Sequence, residues 1–198
     1  DIHAASLYDL LATKTFSVSE ALDISLSLCK ALSLLHKHKV LHLDINPKNI
    51  IYNPDTKALQ IIDFGQSHIL KGSYLYEYTY KSTFGNLFYM SPEQTGLTKR
   101  GIDSRSDLYS LGMTLYHLFL GKVPLQGKDK HELVHKQIAS NPKPLSSLNK
   151  EMPHVISKII SKLIHKKPEE RYQDDEALVY DITQCIKSIS SDGQIKDF

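Results

Sequence analysis

An aspartate and an asparagine stand five residues apart at Asp44 and Asn49, and a second aspartate, Asp63, follows after two short apolar runs. Those runs, 49–52 and 58–62, flank Asn53-Pro54-Asp55-Thr56-Lys57, whose turn-forming residues predict a β-hairpin. Such a hairpin would return Asp63 beside the Asp44–Asn49 loop, at one end of a small sheet. Oxygen-bearing side chains grouped in this way suit a hard divalent cation, and a carboxylate next to them can orient a hydroxyl and accept its proton. Phosphoryl transfer from a nucleotide needs little more from a protein than those groups in that arrangement.

The elements around this cluster are mostly helical. A short apolar-periodic piece covers residues 6–12. Ser17 and Glu20 have the spacing of a capping box, followed by Ala21, Ile24, Leu28, Ala31 and Leu35, which predicts a helix over about 18–37. From Gln66 to Thr98 no period is sustained, so this stretch reads as a long loop of the kind that usually carries function. A second helix is expected over 106–120, apolar on nearly every side and closed by Gly121. Asn141-Pro142-Lys143-Pro144 breaks the pattern before helices expected at 153–165 and 174–189. The fold class is therefore α+β, dominated by helix, with one hairpin.

Composition narrows the function classes. The chain has 198 residues, 41% of them hydrophobic, within the range of one domain with a buried core. A net charge of +2 with no run of one sign excludes an electrostatic footprint for nucleic acid. Apolar stretches are interrupted well short of the ~18 residues of a membrane span. Cys29 and Cys185 lie far apart in apolar helical patterns, which predicts reduced core thiols and a cytoplasmic setting. His36, His38 and His42, interleaved with lysines, read as a solvated helix end rather than as metal ligands. The start at Asp1-Ile2-His3 suggests a fragment of a longer protein.

Taken together, His42-Leu43-Asp44 with Asn49, Asp63-Phe64-Gly65, Ser91-Pro92-Glu93, Asp107 with Gly112, and Arg171 resemble the ordered motifs of the C-terminal lobe of a eukaryotic-type Ser/Thr protein kinase. The resemblance covers essentially all of residues 1–198, which reads as a partial domain without the N-terminal lobe. Asp-Ile-Asn-Pro, Tyr-Met-Ser-Pro-Glu-Gln-Thr-Gly and Glu-Arg-Tyr-Gln are similar to the kinase module of bacterial multidomain proteins that combine a Ser/Thr kinase, an ATPase and a sensor histidine kinase. The resemblance implies ATP and Mg2+ as cofactors and a protein substrate, with further domains of a larger signalling protein as partners. It implies Asp44 as catalytic base, Asn49 and Asp63 as magnesium ligands, and Ile51 and Ile62 as apolar neighbours of the nucleotide, with plain strand core as the alternative for both isoleucines. His42 would brace the loop, and Gly65 would act as the hinge of the activation segment. Glu93 and Arg171 would form a buried ion pair, and Asp107 would lie buried under the catalytic loop.

Four departures qualify this resemblance. No Gly-rich phosphate loop, strand lysine or partner helix glutamate occurs in the 198 residues, so the chain alone is expected to transfer phosphate poorly. Leu43 stands where regulated kinases carry an arginine that pairs with a phosphorylated activation loop, which Thr79, Ser82 or Thr83 would otherwise supply. Asn46 takes the catalytic position of a lysine that contacts the phosphate and the base. Asn86 replaces a threonine that steers selection toward Ser/Thr hydroxyls. Two alternatives are set against the enzyme: a kinase-like scaffold without chemistry, and a kinase-like small-molecule phosphotransferase, which Ser91-Pro92-Glu93, Asp107 and Arg171 argue against.

Overall fold

The computed structural model describes residues 3–76 and 84–192. Thr79, Ser82 and Thr83 lie outside the described residues. The chain opens with strand β1 (Ala5–Ser6) and helix α1 (Leu7–Thr13), then runs through α2 (Val18–Lys37) into β2 (Val40–Leu41). Ser17 accepts from the Glu20 amide at 3.2 Å while Glu20 accepts from the Ser17 amide at 2.9 Å, so the capping box starts α2 as expected. After a 3-10 turn at Pro47–Asn49 come β3 (Ile50–Tyr52) and β4 (Leu59–Ile61), the expected hairpin, and then β5 (His68–Ile69).

The sheet has the order β1-β3-β4, and β2 pairs antiparallel with β5 in a separate ribbon. In the hairpin Ile50 lies opposite Ile61 and Ile51 opposite Gln60. Side chains alternate across a strand, so Ile50, Tyr52 and Ile61 enter the core while Ile51 and Ile62 share the other face and stay half-buried. Neither isoleucine is strand core.

The second half is helical: α3 (Ser104–Leu120), α4 (Lys130–Ala139), α5 (Leu145–Leu148), α6 (His154–Leu163) and α7 (Asp175–Asp192). Asp103 caps α3 through the Arg105 amide, and Gly121 closes it at φ 72°, a left-handed conformation that favours glycine. Residues 106–116 of α3 are all buried, which explains its apolar character on nearly every side. At Gly112 a Cβ would come within 2.6 Å of Leu163 Cβ and 2.7 Å of Ile164 Cγ2, so α3 and the end of α6 approach too closely for any side chain. α2 and α7 pack along each other and complete the core around α3.

Two expectations are corrected. The stretch from Gln66 to Thr98 is not wholly irregular: it contains β5, 3-10 turns at Phe84–Phe88 and Glu93–Thr95, and a bridge from Leu75 to Ile102. α4 and α5 fall in a region where no helix was expected, because only Leu133 and Gln137 of α4 are buried and α5 is a single turn. Cys29 and Cys185 are both buried and unpaired, with burial pushing each thiol up, Cys185 to about 11. No helix among the described residues is long and apolar enough to cross a membrane.

Candidate active site

The site is built outward from Asp107. This carboxylate is fully buried in the first turns of α3 and accepts the backbone amides of His42 and Leu43 at 2.8 and 2.7 Å. Leu43 adopts φ 62°, an unfavourable conformation for a leucine, and these two bonds help to hold it. Its carbonyl accepts from Gln94 Nε2 at 2.8 Å, and Gln94 Oε1 in turn receives the Ser91 amide and hydroxyl. The Leu43 side chain closes a small apolar cluster with Leu41 and Ile102, against which Leu70 and Leu75 pack. The segment leaving Asp63-Phe64-Gly65 is thus fastened to the Asp44 loop by apolar packing.

Asp44 sits at the end of this braced loop, 9% exposed. Three amides point at its carboxylate: Asn46 Nδ2 at 3.0 Å from Oδ1, Asn49 Nδ2 at 2.9 Å from Oδ2, and Asn86 Nδ2 at 3.1 and 3.0 Å from the two oxygens. Burial raises its pKa above the ordinary carboxylate value, the Asn49 and Asn46 amides pull it back, and the neighbouring Asp63 charge pushes it up again. Asn86 therefore belongs to this cluster. Its place in Gly85-Asn86 marked it only as a departure, and nothing in the local sequence signals that it reaches across 42 residues to Asp44.

Asn49 donates its side-chain amide to Asp44, and its side-chain oxygen Oδ1 receives no donor among the described residues. The hairpin brings Asp63 back as expected: the Ile62 amide donates to the Asn49 carbonyl at 2.9 Å, one residue before the aspartate. Asp63 is exposed, left-handed at φ 61°, and accepts the Gly65 amide at 3.2 Å. A Cβ at residue 65 would lie 3.1 Å from Asp63 Oδ1, so glycine leaves that carboxylate room. An amide oxygen and an exposed carboxylate are hard donors, the set that Mg2+ accepts when substrate phosphates and waters complete its shell. Among the described residues no three His, Cys, Asp or Glu side chains group around a potential metal position, so magnesium here would depend on those other ligands.

His42 is fully buried. Its Nε2–H donates to the Ile62 carbonyl at 3.0 Å, its Nδ1 accepts the Asp44 amide at 3.3 Å, and Phe64 packs edge-on against it with ring centroids 4.9 Å apart. The bracing role expected for His42 matches these contacts, but the solvated reading of the histidine group does not hold for it or for His36. His36 lies between two carboxylates, Nε2 3.1 Å from Asp107 and Nδ1 2.9 Å from Asp175, with its side chain 6% exposed. Burial alone would lower its pKa, yet the hydrogen bonds and charges of Asp107 and Asp175 outweigh this and hold it at about 9. Only His38 remains an exposed helix-end residue. Its neighbours could not reveal this, since the partners of His36 are 71 and 139 residues away.

Glu93 and Arg171 pair in a bidentate geometry, Nη1 to Oε1 at 2.6 Å and Nη2 to Oε2 at 2.9 Å, both buried. Arg171 also donates to the carbonyls of Arg105, His165 and Lys166, and Ser106 Oγ donates to Glu93.

The profile of the protein kinase domain matches residues 2–183. The chain belongs to the protein kinase domain family. As a kinase domain it is similar to a probable serine/threonine-protein kinase of Clostridium acetobutylicum, 31% identical over 177 residues, which are 89% of this chain and 26% of that protein. It is similar to the serine/threonine-protein kinase PknB of Mycobacterium tuberculosis, 29% identical over 175 residues, 87% of this chain and 27% of the relative. It also resembles the hybrid signal transduction histidine kinase G of Dictyostelium discoideum, 42% identical over 95 residues, 48% of this chain and 3% of that protein. This kinase domain thus spans about a quarter of the length of the first two relatives and far less of the third.

Proposed function

We propose that this chain is the transfer half of an ATP-dependent Ser/Thr protein kinase within a larger signalling protein. The observation that carries the reading is the Asp44 carboxylate, oriented by three amides and raised in pKa at the mouth of a half-buried site. A base must be held in one geometry and poised to take a proton as the hydroxyl attacks, and the donors around Asp44 meet the first need while burial meets the second. Asn49 and Asp63 would hold Mg2+, which supplies charge neutralisation on the phosphates when bound. Ile51 and Ile62, on the outer face of the hairpin, offer apolar surface of the kind a nucleotide ring meets. Asn46 fastens Asp44 and, with its Oδ1, accepts the Lys48 amide at 3.0 Å, so it acts by positioning as much as by contact with phosphate.

Two buried unpaired cysteines support a reducing, cytoplasmic setting. The match to a hybrid histidine kinase supports a place beside histidine-kinase machinery, as in the multidomain proteins the motifs resemble. Activity in the 198 residues is another matter. No Gly-rich loop or strand lysine occurs within them, and a kinase-like scaffold is the alternative.

Radiolabelled phosphate transfer and Mg2+-dependent ATP binding separate the two. The chain alone should give little or no transfer but should bind ATP with a dependence on Mg2+ that Asp63→Asn removes. Robust turnover by the chain alone would contradict the transfer-half assignment. Binding that ignores Mg2+ and Asp63 would favour the scaffold.

A further inference from the structure

A groove of about 430 Å³ opens beside Asp44, between α1 and the loop that follows α3. Asn46 and Asn86 line it, so its inner end is one hydrogen bond from the Asp44 carboxylate. Leu11, Phe88 and Val123 give it apolar surface. No aspartate or glutamate is among its lining residues, whereas two exposed lysines, Lys48 and Lys122, are.

Neither lysine has an ion-pair partner among the described residues. The Lys48 ammonium lies 4.9 Å from the centroid of the Tyr8 ring on α1, a contact that fixes the position of the charge without neutralising it. His117, also in the groove, bonds the Tyr89 hydroxyl at 2.8 Å, and burial depresses its pKa below the ordinary imidazole value, so the lysines supply the charge at neutral pH. The volume accommodates a few side chains of an extended segment. Opposite charge favours docking and like charge suppresses it at such a rim.

We propose that this groove receives the segment adjoining the acceptor hydroxyl of a protein substrate and selects acidic side chains there through Lys48 and Lys122. The proposal rests on the assignment of Asp44 as the base. It concerns which acceptor is brought to Asp44 rather than whether transfer occurs.

Three fluorescent peptides with one central serine, flanked by Glu, by Gln or by Lys, provide the test, read by fluorescence anisotropy with the 198-residue chain. Nucleotide and magnesium are omitted, so binding is measured apart from transfer. The Glu peptide should bind about tenfold more tightly than the Lys peptide at low salt, with the Gln peptide between them, and added salt should narrow the gap. The double variant Lys48→Glu/Lys122→Glu should reverse the order, with an unchanged circular dichroism spectrum showing that the fold is intact.

Equal binding of the three peptides, no binding of any, or an order unchanged in the double variant would overturn the proposal. Failure of the transfer-half reading would appear separately, as nucleotide binding that ignores Mg2+ and Asp63 beside intact peptide selection.

Discussion

Arg171 replaces none of the water it loses on burial except through fixed partners: both Glu93 oxygens and three carbonyls. Removing one member of such a pair strands the other charge, which typically costs ~3–5 kcal/mol. Arg171→Ala should therefore lower the urea midpoint sharply or leave the chain unfolded. Replacing Glu93 and Arg171 together by Leu and Met should cost less than the arginine substitution alone, since no buried charge is then left over. Equal thermal stability of Arg171→Ala and the parent chain would refute the importance of this pair. The same logic runs in the opposite direction at Asp44, where burial works against the charged form and three amides keep the carboxylate usable. One site stabilises the fold, while the other holds a strained charge in place.

Between elements, His36 is the joint. It sits on α2 and binds one carboxylate from α3 and one at the start of α7, so a single imidazolium ties three helices under the Asp44 loop. Its pKa of about 9 lies above the unfolded value of about 6.5, so its stabilising contribution is complete below pH 6.5 and is lost as pH rises toward 9. The difference amounts to about 3 kcal/mol. Denaturation midpoints measured across that window should fall with pH, and His36→Gln should flatten the profile; a flat profile in the parent chain would show that His36 is neutral there. Local chemistry foretold α2, the hairpin and α3, because a capping box, a turn and a run of buried apolar positions are written within a few residues. The Glu93–Arg171 pair and the buried Asp107 were foretold only by motif resemblance. His36, Asn86 and Gln94 escaped because their partners lie tens of residues away, and α4 escaped because a helix with only two buried residues leaves little period to read.

At the scale of the whole molecule, the segment after Asp63 is held by packing. Leu70 and Leu75 rest on Leu41, Leu43 and Ile102, and Leu75 and Ile102 exchange backbone hydrogen bonds at 2.8 and 2.9 Å. Leu75→Ser should accelerate amide hydrogen exchange at residues 70, 75 and 102 while α2 and α3 keep their protection; unchanged exchange would show that the cluster does not hold the segment. The long reach of the Glu93–Arg171 pair also bears on the order in which the molecule assembles. It joins residues 78 apart, and closing a loop of that length costs about 4 kcal/mol in chain entropy before any contact offsets it. Two charges moved into a half-formed interior would add to that cost. The pair is therefore expected to close after α3 and α6 have met at Gly112, so Arg171→Ala should speed unfolding more than it slows folding, and the reverse in stopped-flow rates would place the pair in the folding nucleus. The loop that carries Asp44 hangs on the buried Asp107 of α3, and the turn after β4 that carries Asp63 is tied to that loop through the Ile62 amide, so the two aspartates depend on a helix that comes later in the chain.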